Sequence, residues 1–90
     1  MKEVQWQLAR IKSEEEFQDL VQSTLSFPHY YGRNRDAFWD CLNEVVENTI
    51  VRVSGLGTLP DTLKTEVGNY IRMAKEYEKK TDGLFKLTLE

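Results

Sequence analysis

The sequence predicts a small α/β domain built on a three-stranded parallel sheet, and three observations lead there. Apolar–polar alternation marks both ends of the chain, at Val4, Trp6 and Leu8 and again at Phe85, Leu87 and Leu89. A β-branched run, Ile50, Val51 and Val53, lies between them. The stretches that separate these segments carry apolar residues at helical spacing, and strands alternating with helices pack as parallel strands joined by crossovers.

In the first strand Gln5 and Gln7 alternate with the apolar residues, so one face is expected to be buried. Ser13 and Glu16 form a capping box, and Glu14, Glu15 and Glu16 suit the positive end of a helix dipole. Behind them Phe17, Leu20, Val21 and Leu25 fall at helical spacing, and Pro28 ends the segment. An aromatic, polar loop runs from Phe27 to Asn34. Asn34 is a good N-cap for a second helix over roughly 35–47, with Phe38, Cys41, Leu42 and Val45 as its apolar face. Ile50, Val51 and Val53 read as a buried strand, and Gly55, Gly57 and Pro60 mark a turn region. From about Asp61 to Lys80 a long helix places Leu63, Val67, Tyr70, Ile71 and Ala74 on one side, and Gly83 stops it as a C′ glycine. Leu84 to Leu89 then alternates as the last strand. The order is β-α-α-β-α-β, one domain over residues 1–90.

Composition narrows the function. With 40% hydrophobic residues the chain builds a core without staples. The formal net charge of −3 argues against nucleic acid or an anionic membrane as the main partner and suits a basic protein. A single cysteine excludes an internal disulfide and a Cys-based zinc site, and nothing in the sequence asks for a cofactor. No apolar run is long enough for a membrane span and the N-terminal residues carry no apolar leader, so the protein is expected in the cytoplasm.

The second helix is the informative one. Asp36, Asp40, Glu44 and Glu47 follow at spacings of 4, 4 and 3. At about 100° per residue they share a stripe roughly 80° wide, with Asn43 at its border. The helix interior holds no Lys or Arg, and Arg35 stands only at its start. Like charges at i, i+4 cost about 0.2–0.5 kcal/mol each, and Glu47 lies towards the unfavourable end of the helix dipole. A solvated face and a binding face both remain open on spacing alone. Trp39 sits beside the stripe, where an aromatic side chain is either a contact or a boundary residue under the loop. Tyr30 and Tyr31 are adjacent, so one is expected to face inward and the other outward.

Other positions read as structural. His29 is a solvated loop residue, Ser26 has no acid or base arranged to activate it, and Cys41 belongs to the core. Gly55 and Gly57 lack the third glycine of a nucleotide loop. Asp36 and Asp40 on an open helix surface have no pocket to separate their pKa values for acid–base catalysis.

The segment from Phe27 to Leu42 resembles the signature of the barstar-like ribonuclease inhibitors. Pro28, Tyr30, Tyr31, Gly32, Asn34, Asp36, Ala37, Trp39, Asp40 and Leu42 match it without a gap. Elsewhere the likeness is one of element order and length. The resemblance implies a three-stranded parallel sheet packed by three or four helices. It also implies that the loop and second helix plug the active site of a ribonuclease. Asp40 carries over as a phosphate mimic and Asp36 as a second charged contact. Tyr30, Gly32 and Asn34 carry over as loop contacts, with Trp39, Asn43 and Glu47 in support. Arg35 lies within the same surface but stands where the family's best-known member has an apolar residue. Arg33 stands where that member has an acid, Met73 where a further acidic contact is expected, and the region from Ser54 to Leu59 is shorter.

The expectation is therefore a monomeric inhibitor of a basic, barnase-like ribonuclease, with an immunity protein for the cell's own secreted enzyme as one form of it. A binding module of the same fold for a different basic toxin or nuclease is the alternative. An enzyme is not expected, because the sequence offers no nucleophile–base set, metal cluster or phosphate loop.

Overall fold

The computed structural model describes residues 2–46 and 48–90, without the Val45 side chain. The elements are β1 (Lys2–Gln7), α1 (Glu14–Thr24), α2 (Arg35–Val45), β2 (Thr49–Ser54), α3 (Asp61–Lys80) and β3 (Phe85–Leu89). Single 3₁₀ turns follow β1 at Leu8–Arg10 and β2 at Leu56–Thr58. The β-α-α-β-α-β order and the parallel sheet are as the sequence predicts, with β2 in the centre and both neighbours parallel to it.

The register lines up Val4, Val51 and Leu87 across the three strands, and one level on Trp6, Val53 and Leu89. Val4, Trp6, Val51, Val53, Phe85 and Leu87 are buried, whereas Glu3, Gln5, Lys86 and Thr88 on the opposite face are exposed. All helices therefore cover one face of the sheet. Ile50, Val51 and Val53 read as a buried strand, and the structure buries Val51 and Val53 but leaves Ile50, with Arg52 and Ser54, half-buried. On the open face Arg52 pairs with Glu3 at 3.1 Å and with Glu90 at 3.7 Å, which keeps a parallel sheet with one bare face polar.

An edge-to-face aromatic chain ties the helices to that sheet. Trp6 meets Phe17 at 5.6 Å, Phe17 meets Tyr70 at 5.4 Å and Tyr70 meets Phe38 at 5.1 Å. Phe38 in turn meets Phe27 at 6.0 Å, and Phe27 meets Tyr31 at 5.0 Å. One residue from each of β1, α1, α3 and α2 thus stands in line with the loop before α2. Edge-to-face pairs add about 0.5–1.5 kcal/mol each beyond area burial. Trp6 also donates from Nε1 to Thr24 Oγ1 at 2.8 Å, so its buried polar edge is satisfied.

The helix ends follow local rules, with two corrections. Ser13 Oγ caps α1 by accepting from the Glu16 N–H at 3.1 Å, but the Glu16 carboxylate reaches back to the Lys12 N–H at 2.6 Å, one residue before the cap. At the end of α3 the C-cap is Thr81, so C′ is Asp82 with φ 55°, and Gly83 with φ 94° follows it. Asp tolerates the left-handed region better than most side chains, which lets the chain turn one residue before the glycine. Gly55 does require its left-handed φ of 80°, because a Cβ there would lie 2.7 Å from the Ala9 backbone nitrogen.

The outer edge of β3 is covered from α3. Glu78 Oε1 accepts from the Leu87 N–H at 2.8 Å, and Lys75 Nζ donates to the Leu87 carbonyl at 3.1 Å and to Glu78 at 3.3 Å. These contacts close an otherwise open strand edge. The Leu87 N–H, ahead of the opposing effect of partial burial and then helped by Lys75, holds the Glu78 carboxyl below its ordinary range. A carboxyl lowered in the folded state stabilises the fold above its unfolded pKa, about 4.3, and loses that contribution as pH falls through the lower folded value. Glu78→Gln is expected to flatten this acid limb of stability, as urea melts between about pH 6 and about pH 3 will show.

Candidate functional site

The loop between α1 and α2 is fixed from beneath. After α1 the chain turns through Ser26 at φ 57°. Gln22 Nε2 donates to the Pro28 carbonyl at 3.0 Å, and the Tyr31 N–H donates to the same carbonyl at 3.0 Å. The two tyrosines separate as expected: Tyr31 is 5% exposed and Tyr30 is 67% exposed. The Tyr31 hydroxyl donates to Gln18 Oε1 at 2.6 Å, and Gln18 Nε2 donates to the Tyr70 hydroxyl at 2.8 Å. Burial, then the neighbouring Tyr70, pushes the Tyr31 hydroxyl far above its usual pKa. Gly32 packs on the start of α2, where a Cβ would come within 3.3 Å of Ala37 Cβ. Asn34 Oδ1 caps α2 by accepting from the Ala37 N–H at 2.8 Å, which leaves the Asn34 amide nitrogen without a partner among the described residues.

Three of the four stripe acids, Asp36, Asp40 and Glu44, are exposed along α2. None makes an ion pair among the described residues. They climb about 6 Å and turn about 40° per step. The helix stops at Val45, short of the expected end at 47, and Glu47 lies outside the described residues. A hollow of about 190 Å³ opens between loop and helix, lined by Tyr30, Tyr31, Gly32, Ala37, Asp40, Cys41 and Glu44. Cys41 forms part of its floor, and burial, then Glu44 and Asp40, pushes its thiol pKa up. The concavity thus joins an exposed aromatic ring to two carboxylates, an arrangement that accepts a cationic or protonated ring-like group.

Trp39 is half-buried against α3, edge-on to Tyr77 at 6.2 Å, with Lys80 Nζ 5.4 Å from its ring centre. Asn43 donates from Nδ2 to the Trp39 carbonyl at 2.8 Å and accepts from Lys80 at 3.4 Å. The helix itself holds no base beyond Arg35, as read from the sequence, but the last turn of α3 brings Lys80 to the far end of the stripe. That neighbour was invisible without tertiary structure. His29 is exposed against Tyr30 at 5.7 Å, and Ser26 accepts from Lys2 Nζ at 3.2 Å. Among the described residues no group of three His, Cys, Asp or Glu is placed to hold a metal ion. Among the same residues no helix is long and apolar enough to cross a membrane.

The family model described as "Barstar (barnase inhibitor)" matches residues 1–90. The chain belongs to the barstar family. It is also 32% identical over 73 residues, 80% of each chain, to a protein of Bacillus subtilis (strain 168) named "Putative ribonuclease inhibitor YrdF".

The structure separates the two arginines that flank Asn34. Arg33, at φ 55°, is held within the chain: its Nη2 lies 2.6 Å from Asp19 Oδ1 and 3.0 Å from Gln22 Oε1. Arg35 is exposed at the first position of α2 and lines a second hollow of about 520 Å³ with Asn34, Asp36 and Met73. After β2 ends at Ser54, the chain up to Leu59 holds the 3₁₀ turn at Leu56–Thr58. Sequence reading missed Gln18, although a signal existed. Projected at about 100° per residue, Gln18 falls roughly 20° from Leu25 on α1, at the margin of the buried face. A glutamine there has to be either exposed or fully hydrogen-bonded.

Proposed function

We propose that this barstar-family chain inhibits a basic ribonuclease by laying α2 and the loop before it over the enzyme's active site. One observation carries the reading: Asp36, Asp40 and Glu44 stand exposed in a row without ion-pair partners among the described residues, near the exposed Tyr30. Asp36 sits in the first turn, where the helix dipole favours an acid, but Asp40 and Glu44 beyond it add like charge that costs local stability. A ribonuclease site binds phosphate with cationic groups, and a carboxylate on a rigid helix makes the same charge-assisted hydrogen bonds. Asp40 takes the phosphate position, centred between its two acidic neighbours, and Asp36 makes a second charged contact. Tyr30, Gly32 and Asn34 present the loop, with Trp39, Asn43 and Glu47 flanking. Kept in the cytoplasm, such an inhibitor protects the cell's own RNA from an enzyme destined for export.

The test is titration of the purified chain into purified ribonucleases, barnase among them, with RNA cleavage as the readout. Stoichiometric loss of cleavage is the expected result, and unchanged cleavage by every enzyme overturns the reading. The acidic row further implies electrostatic steering. Association is expected to slow as salt rises from about 0.05 to about 0.5 M, while dissociation changes much less. Stopped-flow kinetics measures both rates, and a flat association rate would mean that charge does not guide the encounter.

A further inference from the structure

We propose that Arg35 is a specificity-determining contact that pairs with a carboxylate on the rim of the target ribonuclease, so that the target is basic at its centre and acidic beside it. The proposal rests on the ribonuclease reading above and names the kind of partner it requires.

The two arginines before and at the start of α2 behave differently. Arg33 is neutralised by Asp19 and held by Gln22. Arg35 makes no ion pair and no side-chain hydrogen bond among the described residues. It also occupies the first turn of α2, where the helix dipole disfavours a cation. Folding therefore offers no reason for a guanidinium at this position. Arg35 lines one hollow with Met73 of α3.

The hollow that Arg35 lines has a cation, an anion and an adaptable apolar wall. Asn34, Asp36 and Met73 complete it, with Met73 half-buried against the core. A thioether adapts to what enters and excludes water from the guanidinium stem. Arg presents a planar fork that matches a carboxylate in two parallel hydrogen bonds. A free polyanion such as RNA is disfavoured here, because Asp36 and Asp40 continue directly from the hollow. A protein rim is suited, since it can set one acid against Arg35 and its own cations against the acidic row. Against a rim that is basic throughout, Arg35 would meet like charge, which weakens binding and rejects that partner.

The experiment measures inhibition constants for the full chain and for Arg35→Leu, Arg35→Lys, Met73→Glu and Asp40→Ala against a panel of purified small ribonucleases that includes barnase. Against the enzyme that the unaltered chain inhibits most tightly, Arg35→Leu is expected to weaken inhibition about tenfold or more, the range of one good charged contact. Arg35→Lys keeps the charge without the fork and should lose less. Met73→Glu should also weaken inhibition, because the new carboxylate engages Arg35 within the chain and repels the partner's acid. Reversing the partner's rim acid to Lys should then be rescued by Arg35→Glu. If Arg35→Leu is neutral or tightens inhibition of that enzyme while Asp40→Ala abolishes it, the Arg35 contact is wrong and the ribonuclease reading stands. If the unaltered chain inhibits no member of the panel, the ribonuclease reading falls and this contact falls with it.

Discussion

Asp40→Ala is expected to remove most of the inhibition while leaving the fold as stable as before, or slightly more so. The two effects have opposite signs for a physical reason. Asp40 is exposed in the middle of α2 and makes no ion pair among the described residues, so the fold loses no contact. The change relieves like-charge repulsion with Asp36 and Glu44, about 0.2–0.5 kcal/mol each, and Ala is the better helix former. The melt is therefore expected to be unchanged or raised, by up to about 1 kcal/mol. In the complex, truncation leaves cationic groups of the enzyme desolvated and unpaired. Losses of that kind run to about 2–5 kcal/mol, or roughly thirtyfold and more in affinity. Thermal melts and inhibition constants on the same preparation decide it. A variant that inhibits normally removes Asp40 from the phosphate position.

Much of this was readable in the sequence because it depends on local order. The α3 bounds, the Ser13 and Asn34 caps, the burial of Cys41 and the opposite facing of Tyr30 and Tyr31 follow from spacing and capping chemistry within a few residues. The Phe27 to Leu42 block carried the family in contiguous residues, and the family model agrees over the whole chain. What failed to be readable depends on which elements meet. The bare face of the sheet turns on all helices choosing one side, although Arg52 inside the β-branched run was a sign of it. Lys80 reaches Trp39 and Asn43 from 37 residues beyond Asn43. Arg33 and Arg35 look alike in sequence; they differ because α1 places Asp19 beside one and leaves the other facing α3.

Gln18→Leu is expected to destabilise the fold severely, and through it to loosen the loop that carries Tyr30 and Gly32. Gln18 is 3% exposed, and its amide joins two hydroxyls that are themselves buried, on Tyr31 at 5% and Tyr70 at 2%. Leucine fits the volume but offers neither an acceptor to the Tyr31 hydroxyl nor a donor to the Tyr70 hydroxyl. An orphaned buried polar group costs about 1–3 kcal/mol, so the single change is expected to cost about 2–6 kcal/mol if both hydroxyls stay buried. Against a total stability of about 5–15 kcal/mol that removes a large share. The same reasoning predicts a rescue. Tyr31→Phe and Tyr70→Phe added to Gln18→Leu leave no polar group stranded, and an all-apolar replacement of a buried network is close to neutral. The triple variant should therefore recover most of the lost stability in urea melts, whereas three independent lesions would add. Inhibition should track the recovery, because Phe keeps the ring contacts of Tyr31 with Phe27 and of Tyr70 with Phe17 and Phe38 that hold the loop on α2. A Gln18→Leu variant within about 0.5 kcal/mol of the unaltered chain, the spread of ordinary surface changes, would show that the hydroxyls find other partners and that this network does not hold the loop.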